Sequence, residues 1–79
     1  MAARVLFFGA TAEIAGKRQV ELQVADSLTT GDVLKNIIGQ IPSLAAHKLH
    51  ISINQQYATG DEIIRDGDEL AIFTAVSGG

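Results

Sequence analysis

The chain has 79 residues, a formal net charge of −3 at pH 7 and no cysteine, and 47% of its residues are hydrophobic. This length predicts one domain with a small core, and the absence of cysteine excludes disulfide bonds and thiol chemistry. Scattered basic residues and few aromatic residues give little support for nucleic-acid binding. No apolar run has the length of a membrane span, and the first residues lack a signal-peptide pattern. We therefore expect a cytoplasmic protein that binds neither nucleic acid nor membranes.

The first part of the chain predicts two strands joined by a helical turn. Residues 3–10 are almost continuously apolar, with Val5 and Phe7 on one face of the predicted strand. Residues 11–16 allow one helical turn that ends at a glycine. Residues 19–24 alternate between polar and apolar side chains, which is typical of a half-buried strand. The two strands favour an antiparallel hairpin.

The strongest helix signal begins at Thr29. Thr29 and Asp32 have the spacing of a capping box, in which each side chain accepts a hydrogen bond from the backbone of the other. Pro42 then stops the helix. Between them, apolar residues recur on one helical face, at Val33, Leu34, Ile37, Ile38 and Ile41. We expect one amphipathic helix of about three turns.

The second half of the chain predicts two further strands. Residues 49–53 alternate with their apolar side chains inward, and residues 54–56 have turn composition. Residues 57–58 allow brief pairing after that turn. Residues 66–68, Asp-Gly-Asp, are a strong turn signal, and residues 69–73 form the last predicted strand.

This order of elements predicts an α+β fold in a single domain spanning residues 1–79, with a mixed sheet packed on one main helix. The first and last strands are the most apolar, so we place them side by side at the centre of the sheet. Parallel pairing there requires a crossover, which the helix supplies. This is the β-grasp, or ubiquitin-like, layout.

The chain ends in Gly78-Gly79, and we expect residues 74–79 to form a flexible C-terminal arm. Glycine has no Cβ, so such a tail can enter a slot too narrow for side chains, with Val76 and Ser77 entering behind it. The carboxylate of Gly79 would then be delivered into the active site of another protein. The alternative is an ordinary frayed terminus.

Several segments resemble the small, sulfur-carrier subunit of molybdopterin synthase, a ubiquitin-like β-grasp sulfur-carrier family. They follow the family's order and span nearly the whole chain: Val5-Leu6-Phe7-Phe8-Gly9, Glu13-Ile14-Ala15-Gly16, Ser52-Ile53-Asn54-Gln55, Asp66-Gly67-Asp68-Glu69-Leu70-Ala71, and Ile72-Phe73 with Val76-Ser77-Gly78-Gly79. Two positions depart from the family pattern. Thr74 and Ala75 replace a usual Pro-Pro pair, and Ala12 replaces a basic residue.

The resemblance implies a carrier in molybdenum cofactor biosynthesis that is not an enzyme on its own. A partner would adenylate the Gly79 carboxylate with ATP, and sulfur would replace AMP to give a thiocarboxylate. The large synthase subunit would then pass this sulfur to a pterin precursor. The implied partners are that large subunit, in a heterotetramer, and an E1-like adenylating enzyme, and the chain itself would bind no cofactor or metal. The implied partner-interface residues are Phe73, Ala75, Tyr57 and Phe7.

Three other functions stay open from the sequence: a carrier of another pathway such as the thiamine type, a ubiquitin-like protein modifier, and a plain interaction domain. The modifier would join Gly79 to a lysine of a target through an isopeptide bond. The interaction domain would make no use of the tail. The fold alone does not distinguish these functions.

The remaining polar residues predict no catalytic site. His47 and His50 lie three positions apart, but without cysteine or a second pair we interpret them as ordinary surface histidines. We found no nucleophile with a neighbouring base. We interpret the five acidic residues between positions 61 and 69 as a solvated acidic face and as turn chemistry, and the acidic face could help to steer a basic partner.

Overall fold

The computed structural model describes residues 1–74. Its elements, in chain order, are β1 (Ala2–Phe7), α1 (Ala10–Ala15), β2 (Gln19–Gln23), α2 (Thr30–Gln40), a 3₁₀ helix (Pro42–Ala46), β3 (Leu49–Ile53), β4 (Gln56–Tyr57) and β5 (Glu69–Thr74). The strands form one sheet in the order β2-β1-β5-β3-β4. The predicted α+β architecture with one main helix is confirmed.

The centre of the sheet is the parallel pair of β1 and β5. Val5 is opposite Leu70 and Phe7 is opposite Ile72, whereas the other strand pairs are antiparallel. Parallel neighbours require a crossover, and α2 lies in the segment that makes it. The prediction that the first and last strands lie side by side is therefore confirmed.

The core lies between the sheet and α2. Alternate residues of β1 and β5 face it because side chains along a strand point to opposite faces. Phe7 is one of these residues and is only 3% exposed. The prediction that Phe7 contacts a partner is therefore wrong, because Phe7 shares the inward face with Val5. Other hydrophobic side chains that are fully buried within residues 1–74 include Leu70, Ile72, Val33, Ile37 and Leu44.

The start of α2 is fixed by the predicted capping box. The Thr29 hydroxyl accepts a hydrogen bond from the Asp32 backbone N–H at 3.1 Å, and the Asp32 carboxylate accepts one from the Thr29 N–H at 3.1 Å. Both hydrogen bonds satisfy donors that a helix start leaves free. The bond from the Thr29 backbone also lowers the pKa of the Asp32 carboxyl. At the other end, Pro42 starts the 3₁₀ helix as well as ending α2.

The irregular segment before β5 is held to α2 by the carboxylate of Glu62. This carboxylate accepts hydrogen bonds from the backbone N–H groups of Thr59 (2.8 Å) and Gly60 (3.0 Å) and from the Thr30 hydroxyl (2.8 Å). Led by the Thr59 backbone bond, these contacts lower the pKa of Glu62 to about 2. A carboxylate that accepts several hydrogen bonds in its charged form resists protonation. Glu62 thus has a structural role, which agrees with the predicted turn chemistry and not with a purely solvated acidic face.

Candidate functional site

The candidate site lies where β5 ends. Thr74, the last described residue, is still in the strand and is opposite Leu49 of β3. The strand therefore extends one residue beyond its predicted end at Phe73. The tail residues predicted from the sequence lie outside the described residues: Ala75, Val76, Ser77, Gly78 and Gly79.

A buried threonine anchors this end of β5. The hydroxyl of Thr11, at the start of α1, lies 2.7 Å from the backbone oxygen of Phe8 and 2.9 Å from that of Ile72. The same Ile72 oxygen also accepts a hydrogen bond from the Phe8 N–H at 3.1 Å. The position at which the tail leaves the domain is therefore fixed by α1 and β1 together, two residues before Thr74.

Three rings form a cluster on the sheet face that points away from α2. The ring centroid of Phe73 lies 5.7 Å from that of His50, in a stacked arrangement, and 5.8 Å from that of Tyr57, in a tilted one. Tyr57 is 78% exposed. Aromatic residues are enriched in protein interfaces and give large apolar contact area. The structure thus brings together two of the predicted interface residues, Phe73 and Tyr57.

Apolar residues of the neighbouring strands extend this surface. Phe8 is 52% exposed at the end of β1 and, unlike Phe7, faces away from the core. We call this surface the docking face, which consists of Leu6, Phe8, His50, Tyr57, Ala71 and Phe73. Large exposed apolar residues grouped on one surface mark sites of protein interaction.

Sequence reasoning missed Phe8 and His50 as members of this surface. The signal for His50 was present, since inward side chains at Leu49 and Ile51 require the residue between them to point outward. For β1 the signal was ambiguous, because a strand that is apolar on both faces does not show which face is inside. His47, by contrast, is exposed at the end of the 3₁₀ helix.

Residues 1–74 contain neither a metal-binding cluster nor a helix suited to spanning a membrane. These residues contain no group of three or more His, Cys, Asp or Glu side chains placed to hold a metal ion. None of the helices described here is both long enough and apolar enough to span a membrane.

The fold matches solved structures of ubiquitin-like β-grasp proteins. The crystal structure of SAMP1 from Haloferax volcanii has a TM-score of 0.86 and 31% sequence identity, and the match covers 100% of both chains. The chain is therefore a protein of the ubiquitin-like β-grasp class, and the predicted fold is confirmed.

Relatives at the sequence level identify the family. A molybdopterin synthase sulfur carrier subunit from Chlamydomonas reinhardtii is 34% identical over 83 residues, covering 100% of both chains. Small archaeal modifier protein 1 from Haloferax volcanii is 37% identical over 82 residues, covering 91% of this chain and 94% of that protein. The model of the ThiS family matches residues 5–79, and the chain belongs to the ThiS family.

Proposed function

We propose that this protein is the sulfur carrier of a molybdopterin synthase and that the carboxylate of Gly79 carries the sulfur. The observation that supports this most strongly is the 34% identity to a sulfur carrier subunit of that synthase, with both chains covered from end to end. The docking face beside the root of the tail supports the same proposal, because a carrier must be held while its tail reacts elsewhere.

The proposed chemistry solves a leaving-group problem. A carboxylate reacts poorly with nucleophiles because oxide is a poor leaving group. In the first step a Gly79 carboxylate oxygen attacks the α-phosphate of ATP in a partner enzyme and releases pyrophosphate. Hydrosulfide, HS⁻, then attacks the acyl carbon and releases AMP, and loss of the S–H proton leaves a thiocarboxylate. Enclosure of the tail by the partner would exclude water, which would otherwise hydrolyse the acyl adenylate.

The proposed sulfur acceptor is a pterin precursor bound by the large subunit of the synthase. The similar Chlamydomonas protein is named as a subunit, so its synthase has at least one further chain. We propose that the corresponding large subunit packs on Phe73, Tyr57 and Phe8 and accepts residues 75–79. In this arrangement the carrier supplies sulfur as a co-substrate, and the large subunit supplies the catalytic groups.

A measurement of intact mass tests the carrier function. Protein isolated from its native cells should contain a fraction in which one oxygen atom is replaced by sulfur, and this fraction should vanish when Gly79 is deleted. Restoration of molybdopterin synthesis in a strain without its own carrier is the second expected result. Failure to restore it, with the thiocarboxylate present, would point to another sulfur acceptor such as the thiamine type.

The 37% identity to small archaeal modifier protein 1 favours one second candidate, a protein modifier. In that function a lysine amine of a target attacks the same activated acyl carbon and releases AMP, which leaves an isopeptide bond. Immunoblots of native extracts distinguish the two functions. A ladder of conjugates that needs Gly79 supports the modifier, whereas free protein with a thiocarboxylate supports the carrier.

The proposed tail chemistry predicts the effect of Gly79→Ala. We expect this variant to fold with unchanged stability, because the tail follows the last strand of the sheet. Its adenylation by the activating partner should fall at least about tenfold, because the added methyl group clashes in a slot shaped for glycine. The assay is ATP–pyrophosphate exchange with equal amounts of both proteins. Equal rates would refute threading through a narrow slot.

A further inference from the structure

Three basic residues flank the point at which the tail leaves the domain. Lys17 and Arg18 immediately precede β2, and Lys48 immediately precedes β3. Both strands are antiparallel to their neighbours in the central pair, so they begin where β1 and β5 end. The backbone oxygen of Arg18, for example, accepts a hydrogen bond from the Phe7 N–H at 2.8 Å. We call these three residues the flanking cations.

The flanking cations lie on both sides of the end of β5. Lys48 immediately precedes β3, the strand next to β5, so its backbone lies about one strand spacing, roughly 5 Å, to one side of the end of β5. Lys17 and Arg18 precede the strand two places away on the other side, at about 10 Å. Both distances are comparable to the screening length of about 8 Å at physiological salt, so the charges on each side act on a partner surface that meets the end of β5.

The flanking cations have no structural role in the described part of the chain. All three residues are exposed. Within residues 1–74 the one ion pair joins Arg4 and Glu69, and no hydrogen bond there involves the side chain of a flanking cation. Nothing in the described fold therefore accounts for three positive charges at this end of a chain whose net charge is −3.

The acidic residues at the other end of β5 do have structural roles. The Asp66 carboxylate accepts a hydrogen bond from the Ala2 N–H at 2.8 Å, and the Asp68 carboxylate accepts one from the Arg65 N–H at 2.7 Å. Asp68 precedes β5, so it lies about 20 Å from Thr74 at the usual rise of a strand. These acids point away from any partner that takes the tail, which argues against the predicted steering of a basic partner.

We propose that the flanking cations bind an acidic rim around the slot of the large synthase subunit that accepts the tail. This inference rests on the proposed carrier function. A chain with a net charge of −3 is repelled by an acidic surface at long range, unless its positive end approaches first. The separation of charge along β5 therefore favours encounters that are tail-first. Such complementarity acts mainly on orientation and on the association rate.

Two matched double variants test this inference. R18E/K48E reverses one Arg and one Lys beside the tail, and K35E/R65E reverses one Arg and one Lys elsewhere on the surface. All four residues are exposed, and both variants change the net charge by the same amount. Rates of association with the large subunit from the same organism are measured by stopped-flow fluorescence at low and high NaCl. Circular dichroism and thermal denaturation confirm that each variant is folded.

At low salt, we expect R18E/K48E to associate with the large subunit at least about tenfold more slowly than wild type. The association rate of K35E/R65E should stay within about threefold of the wild-type rate. The difference between the two variants should shrink at high salt because screening removes it. Three outcomes would contradict the proposal that the flanking cations bind an acidic rim. They are equal slowing of both variants, no slowing of either variant, and faster association of R18E/K48E. If wild type itself does not bind the large subunit, the proposed carrier function fails, and this inference fails with it.

Discussion

At the scale of single residues, the carboxylate of Glu62 connects two parts of the chain that the sequence separates by about thirty positions. It binds the backbone of residues 59–60 and the hydroxyl of Thr30 at the start of α2. No local pattern predicts this contact, since only the three-dimensional fold brings Thr30 to the carboxylate. The sequence therefore predicted a solvated face with local turn chemistry, and it did not predict the hydrogen bond from Thr30 that joins this segment to α2.

The low pKa of Glu62 predicts a specific dependence of stability on pH. Its folded-state pKa is about 2, below the ordinary value of 4.5, so the charged form stabilises the fold. This contribution is complete above about pH 4.5 and is lost as pH falls towards about 2. Glu62→Gln should be less stable than wild type at neutral pH, and the difference in urea midpoint should narrow in acid. A constant difference across this range would contradict the assignment. The pKa of Asp32 is also lowered, but Asp32 is present in both proteins, so its contribution cancels in the difference between their urea midpoints.

Thr11 is a second residue whose contribution can be isolated. Thr11→Val keeps the shape of the side chain but removes the hydroxyl that lies 2.9 Å from the Ile72 oxygen. Because that oxygen keeps its hydrogen bond from the Phe8 N–H, the expected loss of stability is about 1 kcal/mol.

Urea denaturation measures this loss, and hydrogen exchange of the Phe8 amide reports on the end of β5. Exchange should accelerate in Thr11→Val more than in Thr11→Ser, which keeps the hydroxyl. Equal exchange in the two variants would show that the hydroxyl does not anchor the strand.

At the scale of secondary structure, α2 was predictable because its signals are local. The capping box and the apolar stripe both lie within the helix and its first turn. The hairpin between β3 and β4 is similar, since its turn residues Asn54 and Gln55 lie in a region of turn composition and both have positive φ. The 3₁₀ helix at Pro42–Ala46 was not predicted, because one short turn leaves too little periodicity to detect.

The two glycines of α2 predict opposite effects on stability. A Cβ on Gly31 would lie 3.0 Å from the Gly60 backbone oxygen, whereas a Cβ on Gly39 would have nothing within 4 Å. Gly31→Ala should destabilise the protein by about 1–3 kcal/mol through overpacking. Gly39→Ala should stabilise it by about 0.5–1 kcal/mol, because alanine favours a helix over glycine. Thermal and urea denaturation of both variants check the sign, and a gain in Gly31→Ala would show that the junction is loosely packed.

At the scale of the whole molecule, the docking face predicts that binding and folding can be separated. Tyr57 is 78% exposed, so Tyr57→Ser should leave stability nearly unchanged. It should weaken binding of the large subunit about tenfold or more, because exposed aromatic residues often dominate interface energies. Ile63, 48% exposed and bridged to Thr29 away from the docking face, gives the control Ile63→Ser. Calorimetric titration measures the affinity of both variants for the large subunit. Equal loss of affinity in the two variants would show that the docking face is not the interface.

How far sequence predicted the site also depends on scale. The strand that carries the tail and its place at the centre of the sheet followed from the apolar character of residues 69–73. The choice between Phe7 and Phe8 did not, because both faces of β1 are apolar and only packing against α2 selects the inner one. The sequence did not predict that the flanking cations lie at the same end of the sheet. They precede different strands, and only the order and direction of the strands bring them to that end.

The position of β5 has a consequence for how the protein is made. It follows the other four described strands along the chain, yet it lies in the middle of the sheet. Without it, β2-β1 and β3-β4 are two hairpins with no ladder between them. A nascent chain therefore stays in that divided state until β5 has been synthesised and can pair with β1 and β3. A chain stopped at Asp68 should give the narrow NMR dispersion of an unfolded protein. Only a chain that includes β5 can then present a docking face, so partner enzymes do not meet chains without β5 in a form that they can bind.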